Sequence, residues 1–255
     1  MIWNDIYKEQ TTRYNFSSKL VSGKVLDITY GSFMSYQGAK ILLSENATEV
    51  FSYDIMDDDI QCSKRKLNAI NDIEFVPIFN IEFDDGCFDA IISTESIQYS
   101  KDPKLMIEEY YRLLKKDGVL IISTANKDGV NTLYGKSVEG WDDSLFKQKE
   151  FLQILKKTFS NIELFSQRLI PKSEIIEKRF NLITKLIIHI RKILSTLLLK
   201  FDKKSNFYQS YLQKNIVKMN SSIEKMNKNI LNVDYNPIKF EISHNPLFFI
   251  AICRK

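Results

Sequence analysis

Apolar residues come in short runs at first. "KVLDI" (24–28), "EVFSYD" (49–54), "IEFVPI" (73–78), "CFDAIIST" (87–94), "VLIISTAN" (119–126), "NIELFSQRL" (161–169) and "PLFFIAICRK" (246–255) each have the length of a strand. The run after Asp89 is almost entirely apolar, as a strand covered on both faces should be. Between the runs the period changes to helical. Residues 1–22, 32–46, 58–70, 102–118 and 144–159 read as helices. The helix at 102–118 carries the clearest punctuation: Asp102 as cap, Pro103 at the first position and Gly118 after its end. Strand and helix alternate through residue 169, which predicts a mostly parallel α/β sheet with helices on both faces.

Residues 171–245 break the alternation. They are rich in Lys and Asn and mainly helical by period, which makes them an insertion before the last strand. Within them, Ile176, Phe180, Ile183, Ile187, Ile190, Leu194, Leu197 and Phe201 form one stripe of alternating four- and three-residue spacing. The stretch 171–204 has nine Lys and Arg against Glu174, Glu177 and Asp202, a local +6 that leaves −2 elsewhere. It reads as a lid or homodimer face, or as a basic helix on an anionic membrane at 174–201. No uncharged run approaches a membrane span.

Composition adds bounds. With 255 residues, 44% of them hydrophobic, the chain can hold one α/β core and an insertion. Cys62, Cys87 and Cys253 are widely spaced, so neither a metal cluster nor a disulfide framework is indicated. The N-terminal stretch lacks a signal-peptide pattern, and a cytoplasmic location is expected. A net charge of +4 does not argue for nucleic acid.

The stretch "VLDITYGS" places Asp27 and Gly31 at a strand-turn-helix junction, where α/β proteins hold ligands. Asp54 closes the second strand. "FDDGCFDAIISTESIQY" (83–99) surrounds the fourth strand, and "MIEEYYRLLKKDGVLIISTAN" (106–126) contains the helix, the Lys-Asp-Gly turn and the fifth strand. Together these resemble class I S-adenosylmethionine-dependent methyltransferases of the small-molecule and glycan-modifying type, over 20–169 and again over 246–255. The resemblance implies a Rossmann-like, seven-stranded sheet whose last strand pairs antiparallel at the edge. The domains would be a core at 1–170 and 246–255, with an insertion at 171–245.

It also implies S-adenosylmethionine as cofactor and no metal. Asp27, Thr29, Gly31, Asp54, Asn80 and Ser93 would line the cofactor, with Asp54 on the ribose. Glu95, just past the fourth strand, would serve as base or orienter. Tyr99, Tyr134 and Trp141 are candidates for the acceptor pocket; His189 reads as structural, and His244 precedes the last strand. The expected activity is O-methylation of a small molecule, a sugar or glycan precursor of a bacterial surface polysaccharide. Its acceptor would be a sugar nucleotide or a lipid-linked glycan, the latter placing the protein at the inner membrane face.

Two departures support an alternative, an inactive scaffold with this fold. The family's Asp-x-Gly-x-Gly-x-Gly is here Asp27-Ile-Thr29-Tyr-Gly31-Ser-Phe33, and the usual acid after the third strand is missing, leaving Asn80 as a polar substitute. Binding requires Phe33 to turn into the core, leaving Thr29, Tyr30 and Ser32 to face the ligand.

Overall fold

The computed structural model describes residues 2–29, 32–54, 73–75, 83–134, 144–170 and 233–255. Gly31, the 58–70 helix, Asn80, Trp141, His189 and the 176–201 stripe lie outside them. Asp54 and Tyr134 are placed by backbone alone, as is Phe33.

Five helices are described: α1 (Ile2–Ser18), α2 (Ser32–Ser44), α3 (Pro103–Leu113), α4 (Lys127–Tyr134) and α5 (Gln148–Leu155). The strands are β1 (Gly23–Thr29), β2 (Ala47–Asp54), β3 (Ile73–Phe75), β4 (Phe88–Thr94), β5 (Leu114–Ala125), β6 (Asn161–Leu169), β7 (Ile238–Lys239) and β8 (Pro246–Arg254). They form one sheet in the order β3-β2-β1-β4-β5-β8-β6-β7. The first five are mutually parallel, and β8 runs antiparallel to both β5 and β6. The Rossmann-like, mostly parallel sheet expected from the sequence is present, with a two-residue eighth strand beside β6.

Alternation along the strands divides the core into two layers. Leu26, Ile28, Ile91 and Ile122 face α3 and α5, together with Phe88, Phe151 and Phe159. Val25, Val50, Ile92 and Ile121 face α1 and α2, together with Tyr14 and Leu42. Each such side chain contributes about 1.5–3 kcal/mol by burial.

Three expectations are corrected. The last strand is not at the edge but between β5 and β6. Every residue of β8 from Pro246 to Cys253 is buried, so it needs a strand on each side, whereas both residues of β7 are exposed. The helix expected at 102–118 stops at Leu113, because Leu114 already pairs with Phe88. There Asp117 turns at φ 66°, and a Cβ on Gly118 would meet the Lys115 carbonyl oxygen at 2.9 Å. Lastly, the chain divides into two compact units, Met1–Leu169 with Asp234–Lys255, and Ile170–Val233. Residues 234–245, expected in the insertion, thus belong to the first unit, where β7 pairs with β6. Among the described residues no helix is long and apolar enough to cross a membrane.

Candidate active site

Because β1, β2, β4 and β5 are parallel, their carboxyl ends share one edge of the sheet. Thr29 pairs with Asp54 across the first ladder, and Thr94 with Ser123 across another. This edge is where α/β sheets bind ligands. Helix α1 reaches it with Gln10, Arg13 and Tyr14, three residues that share one helical face.

Asp27 is fully buried. Tyr14 Oη donates to its Oδ1 at 2.8 Å, and Ser52 Oγ to its Oδ2 at 3.2 Å. Burial, followed by the Asp27 charge, pushes the Tyr14 phenol well above its ordinary pKa, so it remains a donor. Gly38 allows this approach, since a Cβ there would lie 2.3 Å from the Tyr14 ring. Asp27 therefore ties α1 and β2 to the start of the 27–33 loop.

Thr29 is also buried, yet its Oγ1 has no hydrogen-bond partner among the described residues. Such an orphan is rare in a finished core, and it sits at the strand end, beside Asp54 in the ladder. This unspent hydroxyl fits a polar ligand at this edge. Asp54 closes β2 opposite Thr29, which makes the two positions candidates for holding a cofactor.

Ser93 is placed differently from the cofactor-lining role expected. Its hydroxyl is buried against those of Ser96 and Tyr110, the latter 3.2 Å away, in the α3-facing layer.

Glu95 follows β4 at φ 52°, a left-handed conformation that costs a non-glycine residue free energy and concentrates at functional sites. Two donors hold its Oε1: Gln10 Nε2 at 2.6 Å and Arg13 Nη1 at 2.7 Å. Oε2 has no hydrogen-bond partner among the described residues, and the side chain is 22% exposed. Arg13 itself is buried. It donates from Nε to Gln167 at 2.9 Å and stacks 4.7 Å from the centroid of the Phe248 ring. Its Nη2 has no hydrogen-bond partner among the described residues.

A cleft of about 430 Å3 lies on the other layer of the same edge, where Gln98 and Ser100 follow β4, Lys127 follows β5, Leu145 and Phe146 lead into α5, and Glu150 stands in its first turn. Tyr99 is next to two of these residues in sequence but is not among those lining the cleft. His244 is held at β6: its Nδ1 accepts from the Glu241 N–H and lies 3.2 Å from Ser166 Oγ.

Sequence reasoning missed Gln10, Arg13, Tyr14 and Gln98. The spacing of the first three on one helical face was the available signal, but an identical pattern describes a solvated face.

Residues 34–122 match the family model described as a methyltransferase domain, a match that begins just after the 27–33 loop. Among solved structures, the chain is similar to a methyltransferase dependent on S-adenosylmethionine from Thermotoga maritima. Identity is 11%, the TM-score 0.52, and 99% of this chain and 94% of that one are covered. It is similar also to one from Archaeoglobus fulgidus, at 15% identity, TM-score 0.51, and coverage of 98% and 93%. At such identities the likeness is one of fold. No curated protein matches the chain in sequence. Residues 34–122 are thus similar to a methyltransferase domain, and the fold that carries them is shared with S-adenosylmethionine-dependent methyltransferases.

Proposed function

We propose that the chain methylates a hydroxyl oxygen of a small polar acceptor, a sugar or glycan precursor of a bacterial surface polysaccharide. Bound S-adenosylmethionine supplies an activated sulfonium methyl, so the protein's task is to align the accepting oxygen. The observation that carries the reading is Glu95. Its Oε1 is pinned by Arg13 and Gln10, while Oε2 has no hydrogen-bond partner among the described residues, and Glu95 follows β4, the neighbour of β1 at whose end Thr29 stands. A carboxylate held this way orients a hydroxyl by accepting its proton in a hydrogen bond. Thr29 and Asp54 hold the cofactor beside it. The same reading puts the reaction in the cytoplasm, where such precursors are assembled.

The test is a turnover assay with S-adenosylmethionine labelled in the methyl group and a panel of nucleoside-diphosphate hexoses. Label should appear in an O-methyl sugar, and Glu95→Gln should lower kcat more than it raises KM. Cofactor binding with methyl transfer only to amines or thiols would overturn the acceptor class. Absence of cofactor binding would establish the scaffold alternative.

A further inference from the structure

The cleft lined by Gln98 lies on the α3 and α5 layer, whereas Glu95 faces α1, so it is a second element of the same sheet edge. Its volume is within the roughly 300–1,000 Å3 of small-ligand sites. Gln98 sets its chemistry. The residue is 95% buried, and its Oε1 accepts from Ala125 N–H at 3.1 Å and from Thr124 Oγ1 at 2.9 Å. A backbone N–H can only donate, so the amide has one orientation and its NH2 points away from β5. Among the described residues Nε2 has no hydrogen-bond partner, and Gln98 lines the cleft.

Around this fixed donor stand groups of mixed character. Ser100 can donate and accept, and Lys127 brings a cation. Glu150 uses one carboxylate oxygen to accept from Lys147 N–H at 2.8 Å. Phe146 and Leu145 supply an apolar wall. A planar amide, a carboxylate and a hydroxyl against an aromatic face match a ligand with alternating donor-acceptor hydroxyls on one surface and C–H bonds on the other. That ligand class is a pyranose ring. An isolated phosphate would face Glu150, and a purely apolar ligand would leave Gln98 unpaired at a cost.

We infer that this cleft is a saccharide subsite, that Gln98 is its specificity-determining donor, and that it holds a ring of the acceptor other than the one methylated. The inference rests on the sugar-acceptor reading above but concerns a different part of the edge.

Saturation-transfer NMR with the methyl glycosides of glucose, galactose, mannose and N-acetylglucosamine tests it on the full chain. At least one glycoside should bind. Gln98→Glu keeps the oxygen that Ala125 and Thr124 require and replaces the donor by an acceptor. It should weaken that glycoside by about tenfold or more while calorimetric affinity for S-adenosylmethionine stays unchanged. Ser100→Ala, which removes no contact of the core, should weaken it by a smaller factor. Binding of no glycoside, or equal binding by both variants, overturns the subsite. If glycosides fail while sugar nucleotides are still methylated, the subsite fails and the O-methylation reading stands. Glycoside binding with loss in Gln98→Glu but no methyl transfer to any sugar supports the subsite and sinks the activity.

Discussion

Arg13 Nη1 lies 2.7 Å from Glu95 Oε1, joining the first helix to the carboxyl end of the fourth strand through a cation that is only 1% exposed. The two partners are unequally buried, and their loss should cost unequal amounts. Glu95→Ala strands a buried guanidinium whose Nη2 already lacks a partner among the described residues, so about 3–5 kcal/mol should be lost. Arg13→Met keeps an apolar stem over Phe248 and leaves a carboxylate that is 22% exposed and still bonded to Gln10, so the loss should be roughly 1–3 kcal/mol. Urea unfolding of both variants checks the order; equal losses would contradict it.

Tyr14→Phe removes one donor from the fully buried Asp27 and leaves packing unchanged. Stability should fall by about 1–3 kcal/mol. Because Asp27 begins the loop proposed to hold the cofactor, affinity for S-adenosylmethionine should fall as well. Calorimetric titration beside thermal unfolding separates the two effects. A stability loss with unchanged affinity would confine Tyr14 to the core.

Gly38→Ala should destabilise the protein through the same contact, since the added methyl meets the Tyr14 ring. Overpacking of this kind costs about 1–3 kcal/mol. In Tyr14→Ala the ring is absent, and the Gly38→Ala penalty should largely vanish. A double-mutant cycle measures that coupling.

Asp54→Ala should weaken S-adenosylmethionine by about tenfold or more, the loss of a strand-end carboxylate proposed to accept ribose hydroxyls. The motivation is its backbone position, opposite Thr29 at the shared edge. Unchanged affinity in a folded variant would remove Asp54 from the site.

Acid sensitivity has a local source at the opposite end of the sheet. Desolvation pushes the Asp89 carboxyl up, but Lys115 Nζ at 2.8 Å and the Lys24 N–H at 2.8 Å outweigh it and hold the pKa below its ordinary value. A pKa lowered by folding stabilises above the unfolded value of about 3.9 and ceases to do so as pH falls through the folded one. Stability should therefore drop below about pH 4, and Lys115→Met should make that drop shallower. Urea midpoints across an acid series measure the slope; equal slopes would exclude the pair.

Element identity was legible along the chain because it depends on local periodicity. Residues 161–169 were read as the strand that forms there, and the Asp102 cap is real, its Oδ1 accepting from Leu105 N–H. The junction at Asp27 and the strand end at Asp54 were legible for the same reason, since a parallel sheet brings successive strand ends to one edge. Strand order beyond β5 was not legible: β8 is apolar throughout, and only its need for a neighbour on each side puts it between β5 and β6. Nor could sequence assign the polar face of α1. Arg13 meets Glu95 across 82 positions, and Tyr14 meets Asp27 only because Gly38 lets two helices close. Local sequence specifies which residues can form a helix or a strand, whereas a buried ion pair between distant segments exists only once packing excludes water from both.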